Sequence, residues 1–484
     1  MNNIKDTILS GKLALKAIVE LKSPLMLGSG ISDNTDVDLQ VDENVIPFIP
    51  ATSLAGVIKS NLNLSEKDDL VNKIFGYSKK IGNKNDSFQS LLKISDMTLI
   101  DKDYKIVTRE GIRINNKTGL VLKGAKFDFE VLEPGVKFNI KMELDLLKEN
   151  SDDQIDDLTQ KAEDVFAAIY KKLENGELVI GAKTNNGFGK LKLVEGFYKK
   201  YDFTKENDVK EWLILPFRFN NTANFQTNNE VAELIKSKAN NFIINAKFDL
   251  KTSIISRAYS TDPELPDAVN IKSNGKDIIP GSGLKGAIRA RSEKIVNTLA
   301  GKSLDIKENE IIRKLFGWEG DNEYSAQKGK LKVTENAIPS DLARLASFIQ
   351  TRIKVDRFTG STIESALFET MPVFSNSALD LNKKAIEINI QVKDYKDYEV
   401  GLLLLVLKDL WTGDLALGGE KNVGRGVLKG ISSDIIKDGK KLITITASDF
   451  EDENRLQGIE NILQPFVSNL VDEISKNKVE VVNG

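Results

Sequence analysis

The alternation of apolar and polar positions predicts that each half of the chain opens with a β-strand. Apolar side chains occupy every second position through most of the runs 12–25 and 242–255, a period typical of half-buried strands. Apolar residues then recur at helical spacing in 284–299, and again in 164–173 and 400–410. Each half is therefore predicted to begin with a strand and to contain an amphipathic helix near its end.

The order of these elements favours an α+β fold. A strand, a helix, a hairpin-rich middle, a second helix and a final strand follow one another in each half. This order is that of a ferredoxin-like or RNA-recognition-type sheet with helices on one side. We expect two such domains in tandem, with inserted loops and hairpins.

Four segments recur in the same order in the two halves. Their offsets are all roughly 240 positions, and the small differences place short insertions in loops. The pairs are IPATSLAGVIKS at 49–60 with IPGSGLKGAIRA at 279–290, IFGY at 74–77 with LFGW at 315–318, GIRINNKTG at 111–119 with RIKVDRFTG at 352–360, and IGAKTNNGFGKLK at 180–192 with LGGEKNVGRGVLK at 417–429. Collinear matches of this kind imply a duplicated module.

Length supports the same division, because 484 residues exceed what a single hydrophobic core usually holds. The repeats predict a first domain over 1–205, a connecting segment over 206–240 and a second domain over 241–484. The Asn-rich stretch 221–238 is the favoured connection.

Composition restricts the chemistry. The chain has no cysteine and no histidine, which excludes disulfides, Ser-His-Asp triads, histidine-based ribonuclease chemistry and nearly every zinc site. Carboxylates with a hard cation such as Mg²⁺ are the commonest remaining solution. The net charge of −3 argues against indiscriminate nucleic-acid binding and leaves room for a local basic groove. Without a signal sequence or long apolar run, we expect a cytoplasmic protein that does not contact membranes.

Two repeated motifs are candidates for binding RNA phosphates. Free amides at a helix start bind anions, and glycines let backbone amides approach phosphates. The alternatives are an ordinary helix start capped by Ser282 and an ordinary turn between a helix and a strand. The candidate side chains are Ser53, Lys59, Ser282, Lys285 and Arg289 at the helix starts, and Lys183, Asn185, Lys190, Lys421, Asn422 and Arg425 in the glycine-rich segments.

A third repeated motif predicts a basic hairpin. Cationic residues precede a Thr-Gly turn in both halves, and an ordinary solvated hairpin is the alternative. The turn contains Asn115-Asn116 in the first half and Asp356-Arg357 in the second. The candidate RNA-binding residues here are Arg113, Lys117, Arg352, Lys354 and Arg357.

With IPGSGLKGAIR, LFGW, RIKVDRFTG and LALGGEKNVGRGVLKG in view, the second half resembles the RAMP superfamily of CRISPR systems, and the first half does so less sharply. The tandem arrangement resembles the double backbone subunit of a type III effector complex, specifically subtype III-D. The resemblance implies that each hairpin is a thumb that wedges between guide bases. It also implies a crRNA guide, a target RNA, other RAMP backbone subunits and the large polymerase-like subunit as partners.

The resemblance further implies metal-dependent cleavage of target RNA by an aspartate in the loop before each IP motif. Asp38 lies 11 positions before Ile49, and Asp267 lies 12 positions before Ile279. This similar spacing makes Asp38 and Asp267 the first choices for catalysis and for holding Mg²⁺ or another divalent cation. Asp36 and Asp262 are the reserves.

Two other functions stay open from the sequence. One is a structural subunit that holds the guide without cutting, in which the loop aspartates only form turns. The other is a guide-processing endoribonuclease of the same superfamily, whose usual histidine is absent here.

Overall fold

The computed structural model describes most of the chain. The described residues are 8–30, 33–65, 67–81, 84–116, 118–148, 153–214, 225, 228–236, 240–259, 266–304, 309–320, 325–339, 349–374 and 385–480. The chain divides into two compact units. The first comprises Met1–Ile112, Gly124–Thr184 and Phe188–Lys238, and the second comprises Arg113–Lys123, Asn185–Gly187 and Ala239–Gly484.

Strands and helices of the first module alternate along the chain. The strands are β1 (Ile8–Leu21), β2 (Phe48–Ile49), β3 (Tyr77–Ile81), β4 (Lys84–Phe88), β5 (Leu92–Ile94), β6 (Met97–Leu99), β7 (Ile106–Ile114), β8 (Val121–Leu132), β9 (Lys137–Lys148) and β10 (Leu191–Asp202). The helices are α1 (Ala51–Asn61), α2 (Asp69–Phe75), α3 (Asp153–Glu174), α4 (Glu206–Ile214) and α5 (Asn229–Ile235), and Thr184–Asn186 form a 3₁₀ turn.

The main sheet of the first unit has the order β10-β1-β9-β6-β2, and β5 also pairs with β9. All of these pairings are antiparallel. The four principal strands lie in the sheet in the order β10, β1, β9 and β5. In the chain they follow one another as β1, β5, β9 and β10, so that the fourth lies beside the first and the third lies between the first and the second. This order is that of a ferredoxin-like sheet.

The core of the first unit lies between this sheet and α3. Alternate residues of β1 from Leu13 to Leu21 are at most 1% exposed, as expected for a strand that faces a helix on one side only. Helix α3 buries Val165, Phe166 and Ile169 in the same core. Helix α5, in the predicted connecting segment, adds Val231 and Leu234 to it.

The second module contains the remaining elements. The strands are β11 (Asn241–Leu250), β12 (Ser253–Ile254), β13 (Arg257–Tyr259), β14 (Ala268–Asn270), β15 (Lys272–Ser273), β16 (Lys276–Ile279), β17 (Leu331–Val333), β18 (Asn336–Ala337), β19 (Gln350–Val355), β20 (Thr362–Met371), β21 (Val373–Phe374), β22 (Ile386–Lys393), β23 (Leu428–Lys437) and β24 (Lys440–Thr446). The helices are α6 (Gly281–Ala300), α7 (Glu310–Phe316), α8 (Asp397–Thr412) and α9 (Glu453–Glu480), and Lys421–Val423 and Ala447–Glu451 form 3₁₀ turns.

The second sheet repeats the topology of the first. Its order is β17-β22-β11-β23-β24, in which β11, β17, β22 and β23 take the places of β1, β5, β9 and β10. Phe242, Ile244 and Phe248 of β11 point into a core that also contains the apolar face of α8. Helix α8 also packs against α9, whose Phe466 joins the same core.

The structure confirms the predicted fold class and its main elements. The opening strands are β1 and β11, and the helices predicted at 164–173, 284–299 and 400–410 lie within α3, α6 and α8. Both units are mixed α+β domains of ferredoxin-like topology. Within the described ranges, no helix combines the length and apolarity needed to span a membrane.

Candidate nucleic-acid interface

The two glycine-rich loops have the same backbone course. Ile180 N donates to Gly189 O at 2.9 Å in the first unit, and Leu417 N donates to Gly426 O at 2.9 Å in the second. A Cβ on Gly189 or Gly426 would overlap the carbonyl oxygen of Ile180 or Leu417. These two glycines are therefore required by close backbone approach.

Not all charged residues of these loops face solvent. Arg425 is 2% exposed and its guanidinium contacts Gln350 and Thr370, so the structure places it inside the fold. Lys183 lies over the rings of Phe127 and Phe129 at 4.7 and 4.5 Å.

The other loop candidates occupy different environments. Asn185 lies within its 3₁₀ turn and is half-buried, whereas Lys190, Lys421 and Asn422 are exposed. The exposed residues are the loop side chains that can contact phosphates without rearrangement.

The two predicted basic hairpins are formed by β7 with β8 and by β19 with β20. At the second turn, Asp356 N donates to Ser361 O at 2.8 Å, and the Asp356 carboxylate accepts hydrogen bonds from Phe358 N and Thr359 N at 2.8 Å each. These bonds lower the pKa of Asp356, the bond from Thr359 N contributing most.

Asn115 has the same role at the first turn. Its N–H donates to Leu120 O at 2.8 Å, and its side-chain oxygen accepts from Thr118 N at 3.2 Å. An amide oxygen thus replaces a carboxylate oxygen as acceptor, as expected for an Asx turn. The sequence difference between Asn115-Asn116 and Asp356-Arg357 leaves the hairpin turn intact.

Both hairpins expose apolar side chains next to cationic ones. Phe358 at the second tip is 99% exposed, and Lys354, Arg357 and the first hairpin's Arg113 are also exposed. Lys117 lies outside the described residues. Further exposed apolar residues include Ile112, Ile114, Leu120 and Val121 in the first hairpin, and Ile353, Val355 and Leu367 in the second. A strand pair with this surface can contact both bases and phosphates.

The helix starts are not capped by serine. The N-cap residues of α1 and α6 are Pro50 and Pro280, and neither provides a side-chain cap. Ser53 and Ser282 lie within the first turns and are half-buried and exposed, respectively. In the first unit, Asp96 already accepts a hydrogen bond from Ala51 N at 2.7 Å.

The cations of α1 and α6 differ in burial. Burial lowers the pKa of Lys285 to about 8, and the charge of Arg289 contributes further. Arg289 forms an ion pair with Glu293 at 3.0 Å. Lys59 is exposed and lies 5.7 Å from the centre of the Phe75 ring. At mildly alkaline pH Lys285 therefore loses part of the charge that a phosphate contact needs.

Asp38 is engaged in holding its own loop. It is 7% exposed, and its two carboxylate oxygens accept hydrogen bonds from the backbone N–H groups of Asp33, Asn34 and Thr35 and from the Thr35 hydroxyl, at 2.7–3.1 Å. The bond from Asn34 N and the other bonds lower the pKa of Asp38 to about 2. This carboxylate is ionised but already has four donors, so binding a cation would compete with them.

Asp36, rather than Asp38, is the structural counterpart of Asp267. Asp267 Oδ2 accepts from Glu369 N at 3.1 Å, and Asp36 Oδ2 accepts from Asp128 N at 3.0 Å. Positions 128 and 369 are related by the same offset as the hairpin glycines 119 and 360. Both aspartates are exposed and lie beside the base of a hairpin.

The next residues along the chain agree with this match. Val37 O accepts from Glu130 N at 3.0 Å. Ala268, the residue after Asp267, is aligned with Thr370 in the parallel pairing of β14 and β20, and Thr370 directly precedes Met371, the counterpart of Glu130 at the same offset. Val269 therefore corresponds to Asp38. Similar spacing to the IP motif, 11 and 12 positions, favours Asp38, but Asp36 lies 13 positions before Ile49 and differs from the spacing of Asp267 by one position as well. Asp262 lies outside the described residues.

Carboxylates near Asp36 and Asp267 are suited to a hard cation. Asp128 lies beside Asp36, because Asp36 N donates to its carboxylate at 2.9 Å, and Glu369 lies beside Asp267. Mg²⁺ is commonly held by one or two carboxylates together with substrate phosphates. In the part of the chain that the structure describes, no group of three or more acidic residues forms a complete metal site.

The open face of each sheet is not a base-stacking platform. In the first unit Lys12 pairs with Glu143 and Asp145 at 3.3 and 3.2 Å and lies over the ring of Trp212. In the second unit, polar side chains of β22 on the open face alternate with apolar side chains that are buried on the other face, and β11 shows the same alternation of exposure. The candidate interface therefore consists of the hairpins and the loops next to them.

A family model matches the chain twice. The model of the RAMP superfamily matches residues 18–192 and 247–429, which together make up well over half of the chain. The chain belongs to the RAMP superfamily. Each matched segment of this RAMP protein includes part of one ferredoxin-like sheet, one of the two basic hairpins and one glycine-rich loop. Membership supports a role as a CRISPR-associated RNA-binding subunit. No curated protein matches the chain significantly.

Proposed function

We propose that the chain is the double backbone subunit of a type III CRISPR ribonucleoprotein of subtype III-D, which holds the crRNA guide and cuts complementary target RNA. The observation that supports this most strongly is the repeated arrangement of hairpin and aspartate. In each unit an exposed aspartate accepts a hydrogen bond from the hairpin strand beside it, Asp36 from Asp128 N and Asp267 from Glu369 N.

The hairpin surfaces fit a role against single-stranded RNA. Exposed apolar residues such as Phe358 can enter between bases, and neighbouring cations such as Lys354 and Arg357 can contact phosphates. Binding through two local basic surfaces is compatible with a net charge of −3. The guide would contact each hairpin once, which displaces bases beside each loop aspartate.

Cleavage would then occur beside Asp36 and Asp267. Asp36 with Asp128, and Asp267 with Glu369, would hold Mg²⁺ or another divalent cation, whose chemistry is to neutralise charge at the scissile phosphate. These carboxylates would hold the cation and orient the phosphate. The 2′-hydroxyl of the RNA would attack the adjacent phosphate and lose its proton to a nearby carboxylate or to water, and the 5′-oxygen of the next nucleotide would leave, so that a 2′,3′-cyclic phosphate forms. Asp38 maintains the shape of the first loop.

A guide-holding subunit without catalysis is the second candidate. The four hydrogen bonds that occupy the Asp38 carboxylate favour it, because they show that at least one loop aspartate is a turn former. A guide-processing enzyme is less favoured, since the chain has no histidine.

Replacing the loop aspartates one at a time tests the proposal. Complexes assembled with Asp36→Asn or Asp267→Asn should each lose one magnesium-dependent cleavage product of the target RNA, whereas Asp38→Asn, which loosens the first loop without removing a proposed ligand, should reduce the product of the Asp36 site without abolishing it. Asparagine preserves shape but removes the charge that a hard cation needs. Cleavage is measured by sizing end-labelled target RNA.

Binding of target RNA by the same complexes is the control and should not change. Two unchanged products in both the Asp36 and the Asp267 variants would exclude these residues from catalysis. A wild-type complex that binds target RNA but produces no cleavage with magnesium would favour the guide-holding subunit.

A further inference from the structure

The Glu420 side chain is the centre of a cluster of three arginines in the second unit. Its Oε1 accepts a hydrogen bond from Arg257 Nη2 at 2.5 Å, and its Oε2 lies 2.9 Å from Arg352 Nη1 and 2.8 Å from Arg425 Nε. The side chains of Glu420 and Arg425 are 7% and 3% exposed. Burial alone would raise the pKa of Glu420, but the bond from Arg257 and the charges of Arg425 and Arg352 lower it.

This cluster joins the second hairpin to the rest of its unit. Arg352 lies on β19, Arg257 lies on β13, and Glu420 and Arg425 belong to the glycine-rich loop. Arg425 Nη2 also contacts the side chains of Gln350 on β19 and Thr370 on β20, at 2.5 and 3.5 Å. Both strands of the hairpin base are therefore attached to the loop through groups that depend on Glu420.

The first unit has different side chains at the place where its hairpin meets its glycine-rich loop. Lys183 occupies the position of Glu420, Phe188 that of Arg425 and Gly111 that of Arg352. Residues 183 and 420 both have a left-handed backbone, with φ of 53° and 55°, which supports this correspondence. The Lys183 ammonium is held over Phe127 and Phe129.

The charges make Glu420 indispensable to the cluster. Three guanidinium groups and one carboxylate leave an excess of positive charge around the buried side chains of Glu420 and Arg425, and Arg425 Nη1 has no hydrogen-bond partner among the described residues. Removing the carboxylate would leave like charges facing each other and a buried cation without its counter-ion, a strongly unfavourable change. No such repulsion would follow from removing Lys183.

The Glu420 cluster lies next to the loop of Asp267. Thr370, which Arg425 contacts, is aligned with Ala268 in the pairing of β14 and β20, and the preceding Glu369 N donates to Asp267. We propose that Glu420 is a positioning residue whose carboxylate fixes the base of the second hairpin and, through it, the loop of Asp267. The consequence for cleavage rests on the proposed function, whereas the consequence for the hairpin does not.

Hydrogen exchange of the full-length chain tests the inference. Glu420→Gln should accelerate amide exchange in residues 350–371 by roughly tenfold or more. In the wild-type protein, local opening of the hairpin base has to break the ion pairs of Glu420, and in the variant these ion pairs are absent. Adding Arg352→Gln should reverse part of this increase, because it removes one of the repelling charges. The matched variant Lys183→Met should leave exchange in 350–371 unchanged and alter only residues 106–132.

If Glu420 only filled space, adding Arg352→Gln would not slow the exchange that Glu420→Gln had accelerated. Unchanged exchange at 350–371 in Glu420→Gln, or a double variant with exchange at least as fast as the single variant, would overturn the inference. If Glu420→Gln does not fold, Arg352→Gln alone should give a smaller acceleration confined to 350–371, and its absence would overturn the inference instead.

Cleavage by the assembled complex provides a separate measurement. Glu420→Gln should reduce the product of the Asp267 site and leave the product of the Asp36 site at its wild-type level. A loss of the Asp267 product without any change in hairpin exchange would also overturn the positioning role. If the wild-type complex makes no product, the proposed cleavage fails, and the exchange experiment still decides the role of Glu420.

Discussion

At the scale of residues, Asp36 and Asp38 are separated by one position but have different surroundings. Asp38 is buried and accepts four hydrogen bonds from its own loop, whereas Asp36 is exposed and forms hydrogen bonds with Asp128 of the hairpin strand. A carboxylate that holds a loop is expected to matter for stability, and an exposed one is available for a ligand. The two residues can therefore be separated experimentally.

Replacing Asp38 should reveal its role through pH. The pKa of Asp38 in the folded protein is about 2, below the ordinary value of 3.8. Its contribution to stability is therefore fully present above the unfolded value and is lost as pH falls through the folded one. Asp38→Ala should lower the urea midpoint at neutral pH, and the difference from wild type should shrink from about pH 4 towards pH 2.

Asp36→Ala is the matched control and should leave the urea midpoint close to that of wild type. An Asp38→Ala difference that does not depend on pH, or a larger loss of stability in the Asp36 variant, would contradict this assignment.

At the scale of elements, the hairpins combine exposed apolar and cationic side chains. An apolar residue as exposed as Phe358 contributes little to folding, and together with the exposed Ile353, Val355 and Leu367 it gives the hairpin an apolar surface of the kind that marks interaction sites. The turn beneath it is fixed by the Asp356 carboxylate, and Asn115 performs the same task in the first hairpin. The element is therefore rigid at its turn and apolar at its tip.

Phe358→Ser should weaken RNA binding without weakening the fold. Loss of stacking on one base typically costs about 1–3 kcal/mol in binding free energy, while an exposed substitution changes unfolding free energy by only about 0.5 kcal/mol. Guide RNA affinity at fixed salt and the urea midpoint measure the two effects. Val471→Ser on α9, also exposed, is the control; equal affinities of both variants would exclude a contact by Phe358.

Element order could be predicted from the sequence, but the partners of single residues could not. Periodicity in 12–25 and 242–255 identifies β1 and β11 because burial on one face determines it. The partners Asp128 and Glu369 lie 92 and 102 positions from the aspartates they contact, and no local pattern encodes such pairings. Spacing to the IP motif therefore favours Asp38, although Asp36 occupies the position in its unit that Asp267 occupies in the other.

The ion cluster around Glu420 could not be predicted from the sequence for a similar reason. Glu420 and Arg425 stand in a glycine-rich segment whose composition indicates a phosphate-binding loop. Their ion pairs with Arg257 and Arg352 depend on strands that are distant in sequence. Only the fold shows that Arg425 faces inward.

At the scale of the whole molecule, one chain contains two copies of a module. The copies differ in the side chains that connect the hairpin to the glycine-rich loop. The sheets, the glycine-rich loops and the hairpin turns are shared. The hairpin of the second module is held by an ion cluster, and that of the first by the Lys183 ammonium over the rings of Phe127 and Phe129. Duplication gives a chain with two hairpins and two exposed loop aspartates, and we propose that each pair serves one stretch of the guide.

The most direct test of this account is photo-crosslinking from the two hairpins to the guide RNA. A crosslinking amino acid would replace Phe358 in one complex and Leu120 in another, and the crosslinked nucleotides would be mapped. The account predicts two different guide nucleotides, separated by the same interval for guides of unrelated sequence. Crosslinks from only one hairpin, or from both to the same nucleotide, would contradict it.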